Sequence, residues 1–122
     1  MFNEQENIGR LTAELNDFLE KESRFTAEVI FVNDGSTDDT LGILKEAKHR
    51  SYFYKIISFS RNFGSHAALR AGLLEAKGDF ITFMYADLQD PLSLIGTLYD
   101  EISAKEEDNE WGFVAMSSLR KT

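Results

Sequence analysis

Three short polar clusters in this chain each follow an apolar, β-branched run. The most acidic is "YADLQDP", residues 85–91, at the end of "DFITFMYADLQDP". Oxygen donors gathered at a strand end suit a hard cation such as Mg²⁺ or Mn²⁺. Such an ion neutralises a diphosphate and stabilises it as a leaving group. Asp87 and Gln89 are two positions apart, so an extended segment would point both the same way. Asp90 has a plainer role open to it, as the cap of a helix beginning at Pro91. Tyr85, in the same cluster, is a neutral phenol and a poor ligand for a hard cation.

The second cluster is "VNDGSTDDT", residues 32–40. Asp34 can accept hydrogen bonds from a ligand's N–H or hydroxyl groups. Gly35 allows a tight turn, and Ser36 or Thr37 can cap the next helix. A well-made strand-turn-helix junction would account for the same residues. The third cluster is "SRNFGSHAAL", residues 60–69. Arg61 could pair with a phosphate, Asn62 could hold a loop through backbone groups, and Gly64 lets a helix begin close to a ligand. His66 reads as an exposed residue of the first helical turn.

The composition narrows what these clusters serve. At 122 residues the chain is read as a single domain, residues 1–122. Hydrophobic residues make up 43 %, with ten Phe, which excludes a disordered chain. The net charge of −8 excludes the basic footprint of nucleic-acid binding. Any phosphate ligand must then be held by backbone N–H groups, a few local cations or a metal. With no cysteine, thiol catalysis, disulfides and Cys-ligated zinc are excluded, and a reducing cytoplasm fits. No apolar run approaches the ~20 residues of a membrane span.

The elements that position the clusters alternate. Ile8, Leu11, Leu15, Phe18 and Leu19 recur at helical spacing, predicting a helix from about Glu4 to Lys21 with Asn3 as its N-cap. "AEVIFVND" reads as a buried strand, then a helix from about Asp38 to His49. "YFYKIISFS" is the next strand and "AALRAGLLEAK" the next helix, with Gly78 as its C-cap. "DFITFMYA" is a third strand, Pro91 opens a helix to about Lys105, and "WGFVAMSS" is a last, weaker strand. The order α-β-α-β-α-β-α-β implies parallel strands, right-handed crossovers and helices on both faces. In open α/β sheets ligands bind beyond the carboxyl ends of the strands, and all three polar clusters fall on that edge.

"NEQENI", "VIFVNDGSTDDT", "SRNFGSHAALRAGLLEAKGD" and "YADLQDP", in this order and spacing, resemble glycosyltransferase family 2, and within it the polyprenyl-phosphate group that includes dolichol-phosphate mannosyltransferases and bactoprenol glucosyltransferases. The resemblance runs from Asn3 to about Ser118. It implies a GT-A fold, a UDP- or GDP-sugar donor, a divalent Mg²⁺ or Mn²⁺, and a lipid-phosphate acceptor of the cell envelope. It places Asn3 and Glu4 beside the nucleoside, Asp34 at the base, and Asp87 and Gln89 on the metal, with Asp87 the catalytic residue. Arg61 is assigned to the diphosphate from its residue type.

Three departures accompany the match. Tyr85 stands where the family carries the first acid of its D-x-D. The first strand, which lies between the second and fourth in the family, is missing. The family chain also continues past Thr122. The sequence thus predicts the nucleotide-binding part of a transferase truncated at both ends, cytoplasmic, and at the inner membrane face in a longer parent. Without the first strand, "EVIFVN" and "FITFMY" must pair directly, or a second copy must close the gap as a homo-oligomer. The competing functional expectation is an inactive nucleotide-sugar-binding or interaction module. A receiver-like signalling domain is disfavoured by the lack of a lysine at a suitable late strand end.

Overall fold

The structure, a computed structural model, describes residues 1–107 and 119–121. The elements follow the predicted alternation: α1 (Gln5–Glu20), β1 (Glu28–Asn33), α2 (Thr40–Glu46), β2 (Phe53–Ser58), α3 (Ser65–Glu75), β3 (Thr82–Met84), α4 (Ser93–Glu107) and β4 (Leu119–Lys121). The predicted strand over residues 111–118 lies outside the described residues.

The four strands form one parallel sheet in the order β2-β1-β4-β3. β1 is the spine. Its alternation sends Val29 and Phe31 to one face and Ile30 and Val32 to the other, all fully buried. The first face carries the main core. Ile8, Leu11, Leu15 and Leu19 of α1 pack there with Leu44 of α2, Met84 of β3, and Leu92 and Ile95 at the start of α4. The other face is thinner, with Ala68 of α3 set against Ile30 and Val32. Helices therefore cover both faces, as the alternation requires.

The gap beside β1 is closed in a way the sequence did not suggest. β1 and β3 do not pair directly. β4 lies between them, with Leu119 beside Val29 and Thr82, and Lys121 beside Phe31 and Met84. Met1 continues the same lane: its ammonium donates to the Val32 carbonyl at 2.6 Å, and Asp34 N–H donates to the Met1 carbonyl at 2.7 Å. Backbone groups that would otherwise be orphaned in mid-sheet find partners. The lane is closed from within the chain and calls for no second copy.

Burial of the Met1 ammonium lowers its pKa from 8.0 to about 6, with Asp34 and Glu4 opposing the shift by their charge. Folding therefore releases a proton between pH 6 and pH 8, and stability rises with pH through that window. The chain with a free Met1 amine should lose roughly 2 kcal/mol between pH 8 and pH 6. Urea melts across this range, with and without amine acetylation, check it. A free-amine chain with no such loss would contradict the buried placement.

Several boundaries differ from expectation for local reasons. The N-cap of α1 is Glu4, with no side-chain capping bond, while Asn3 has φ 51° and turns its side chain to a distant loop. α2 is shorter than predicted because Ala47 is extended, at ψ 152°. α3 ends at Glu75 with an extended Ala76, so Gly78 is not its C-cap. α4 begins at Ser93 rather than at Pro91, and its first bonds run from Leu94 N–H to the Pro91 carbonyl and from Ile95 N–H to that of Leu92.

Candidate active site

The strand order places the topological switch point beside β1: α2 carries the chain to β2 on one side, while β4 and β3 lie on the other. A cleft of about 390 Å³ opens there, at the carboxyl ends of the strands. Met1, Phe2, Glu4, Asp34, Asn62, Gly64, Ser65, Ala68 and Tyr85 line it. It thus joins parts of all three polar clusters with the start of α1. Two carboxylates, a phenol, an amide and a hydroxyl face one space.

Each side chain is held for a local reason. Asp34 follows the last residue of β1 and is 5 % exposed. Its Oδ1 accepts the Phe63 N–H at 2.8 Å and its Oδ2 the Gly64 N–H at 3.1 Å. Glu4, half-buried at the α1 N-terminus, accepts the Asn7 side-chain amide at 2.6 Å. Its backbone N–H donates to the Thr40 hydroxyl at 2.9 Å, tying α1 to α2. Tyr85 follows β3 by one residue and is 51 % exposed, on the sheet face that α3 covers only thinly.

Asp87 and Gln89 also meet, but not as an extended segment. Leu88 N–H donates to the Tyr85 carbonyl at 3.1 Å, closing a turn, and Leu88 takes φ 55°. The turn, rather than strand alternation, brings the side chains together. The Gln89 amide donates to Asp87 Oδ2 at 2.8 Å, and both residues are exposed. Gln89 also lines a second groove of about 540 Å³ between α1 and residues 88–92. That groove's cations are already engaged, Arg10 with Glu14 and Lys21 with Asp17.

Four of the predicted site residues stand apart from the cleft lining: Asp87 and Gln89, and also Asn3 and Arg61. Asn3 accepts the Thr37 N–H at 2.8 Å, and its own N–H donates to the Ser36 hydroxyl at 2.9 Å, so it fastens the β1–α2 turn. Arg61 is exposed, with its guanidinium 4.0 Å from the centre of the Phe63 ring. Ser65, which no motif marks, also lines the cleft. Ser65 follows Gly64 directly, and that helix start was the available signal.

The profile of glycosyl transferase family 2 matches residues 1–120. The chain belongs to glycosyl transferase family 2. It is 43 % identical over 101 residues to a glycosyltransferase of Synechocystis, covering 83 % of this chain and 31 % of that protein. It is 38 % identical over 104 residues to a prophage bactoprenol glucosyl transferase homolog of Escherichia coli, covering 85 % of this chain and 34 % of the relative. To the bactoprenol glucosyl transferase of Shigella phage SfV it is 36 % identical over 104 residues, again 85 % of this chain and 34 % of the relative. The chain therefore spans about a third of the length of the curated relatives it matches. No solved structure matches it. As a family-2 chain it has the α/β, GT-A type of architecture that the parallel sheet displays. No helix among the described residues is long and apolar enough to cross a membrane.

Proposed function

We propose that the cleft at the carboxyl end of β1 takes a nucleotide-diphosphate sugar, and that the protein of which this chain forms the donor-binding part passes the sugar to a polyprenyl phosphate. The observation that carries this reading is the convergence of Glu4, Asp34, Asn62 and Tyr85 on one cleft at the switch point of a family-2 chain. The acceptor class comes from the relatives, two of which carry bactoprenol glucosyl transferase in their names.

The reaction needs little from the protein beyond placement. The bond between the sugar's anomeric carbon and the diphosphate oxygen breaks, and a phosphate oxygen of the lipid bonds to that carbon. The electron pair leaves with the nucleoside diphosphate. The acceptor phosphate is already anionic, so no residue has to remove its proton. Glu4 near the ribose orients the donor, and Arg61 would have to leave the Phe63 ring to reach the diphosphate. Asp87 is the residue we assign to the leaving-group side.

Charge supplies the argument for a divalent ion. Glu4 and Asp34 line the cleft and Asp87 lies two residues beyond Tyr85, so a diphosphate entering alone would be repelled. Among the described residues no group of three or more His, Cys, Asp or Glu could hold a metal by itself. Asp87 and Gln89 lie side by side, and with the Gln89 amide turned so that its oxygen rather than its nitrogen faces the carboxylate they would offer two oxygen donors. That pair fits an ion that brings its remaining ligands as phosphate oxygens and water, the usual manner of Mg²⁺. Bound there, Mg²⁺ or Mn²⁺ would supply neutralisation of the leaving diphosphate.

A second reading, an inactive donor-binding module, is favoured by Tyr85 and by the one-third coverage of the relatives. The test is incubation with UDP- or GDP-sugars and polyprenyl phosphate in vesicles. Glycolipid formation supports transfer, whereas nucleotide binding without product supports the module. Tyr85→Asp would place a second carboxylate beside Asp87. It is expected to strengthen Mn²⁺-dependent nucleotide binding about tenfold, since affinity for a hard cation follows ligand charge. No change in titration calorimetry would remove Tyr85 from the metal argument.

A further inference from the structure

The start of α1 has no side-chain cap of its own. Its first amides find their acceptors in the β1–α2 turn instead. The Glu4 N–H donates to the Thr40 hydroxyl at 2.9 Å, and the Gln5 N–H to Asp38 Oδ2 at 3.3 Å. These acceptors lie 36 and 33 residues along the chain. The opening amides of a helix need such partners, because no intrahelical carbonyl reaches them. Thr40 is fully buried. Its hydroxyl and its own N–H both donate to Asp38 Oδ1, so the hydroxyl proton is committed and a lone pair faces Glu4.

Glu4 is the cleft residue that this arrangement fixes. Its carboxylate is held by the Asn7 side-chain amide at 2.6 Å, and its carbonyl accepts the Asn7 N–H at 2.9 Å. Asn7 belongs to α1, so those bonds set Glu4 relative to its own helix. They do not set it relative to the end of β1. Thr40 makes that second connection, since it opens α2 directly after the turn that leaves β1. The Asn3 and Gln5 side chains add bonds to the Thr37 and Asp39 N–H groups, but both of those residues are exposed. Thr40 is the buried member of the set and does not itself line the cleft. We infer that Thr40 is a positioning residue: its hydroxyl, oriented by Asp38, sets where the Glu4 carboxylate stands in the nucleotide site. This rests on the donor-site reading of the cleft.

The test uses the full chain with Thr40→Val, Thr40→Ser and Asp38→Ala, each made alone and together with Glu4→Ala. One readout is hydrogen exchange at the Glu4 amide, which needs no ligand. The other is titration with UDP and with GDP in the presence of Mn²⁺. Valine keeps the shape of threonine and lacks the acceptor, so the Glu4 amide should exchange about tenfold faster. Nucleotide affinity should fall about tenfold as well. Serine keeps the hydroxyl and should bind within about twofold of the unaltered chain. With Glu4→Ala already present, Thr40→Val should weaken binding no further, because two residues that act through one contact are not additive. Asp38→Ala, at a half-buried position, frees the hydroxyl and should weaken binding in the same Glu4-dependent way.

Three results would overturn the inference. The Glu4 amide could stay as protected in Thr40→Val as in the unaltered chain. Serine could fail to restore what valine loses. Or the valine loss could persist in full beside Glu4→Ala, which marks a general loosening of the site. If Thr40→Val does not fold, Asp38→Ala decides through the same two readouts. If the unaltered chain binds neither nucleotide, the donor-site reading fails, and exchange at the Glu4 amide then decides whether Thr40 anchors Glu4.

Discussion

Asp87→Ala is expected to abolish the Mn²⁺-dependent part of nucleotide binding while leaving the fold intact. Asp87 is exposed and outside the core, and among the described residues its hydrogen bonds run to Gln89, through that residue's backbone N–H and its side-chain amide. Its loss therefore costs little stability. For the site it removes the one carboxylate of the proposed ligand pair. Losing even an outer-shell partner of a metal site costs roughly ten- to hundredfold in affinity, so loss of a ligand should reach at least the upper end of that range. Titration calorimetry with UDP and GDP, with and without Mn²⁺, reads the effect directly. Retention of the full metal-dependent increment in Asp87→Ala would remove Asp87 from the metal site.

Phe31→Ala is expected to have the largest effect on stability. Phe31 is fully buried in the middle of β1, with ring contacts to His49 at 5.3 Å and to Tyr52 at 6.3 Å between centroids. It packs in the cluster that joins α1, α2 and the start of α4 to the sheet. Truncation leaves a cavity that backbone pairing on both sides prevents from collapsing, since Phe31 is in register with Ile56 and Lys121. A cost of about 3–5 kcal/mol follows. That is a large part of the 5–15 kcal/mol that stabilises typical domains. Denaturant unfolding should show a much lower midpoint, and a loss under about 1 kcal/mol would contradict the packing described.

What could be read from the sequence was what depends on period. The β-branched run "VIFV" announced β1, the i, i+3, i+4 spacing from Ile8 to Leu19 announced α1, and the alternation announced the parallel sheet. Contacts between distant residues were not visible. Asn3 looked like a helix cap because caps are recognised from neighbours, whereas its partners are Ser36 and Thr37, over thirty residues away. Nothing local to Asp34 shows that Phe63 and Gly64 turn their N–H groups toward its carboxylate. Strand parity does not pair Asp87 with Gln89; a turn with a left-handed Leu88 does. The closing of the sheet by Leu119–Lys121 and Met1 joins the two ends of the chain, which no window of sequence reveals.

A nucleotide-diphosphate site in the cleft lined by Glu4, Asp34 and Tyr85 can be tested without any substitution. The most direct measurement is isothermal titration of the unaltered chain with UDP and GDP, in Mn²⁺ and in EDTA. At least one nucleotide should bind saturably, and more tightly with Mn²⁺. Absence of binding by both nucleotides under every metal condition would contradict such a site.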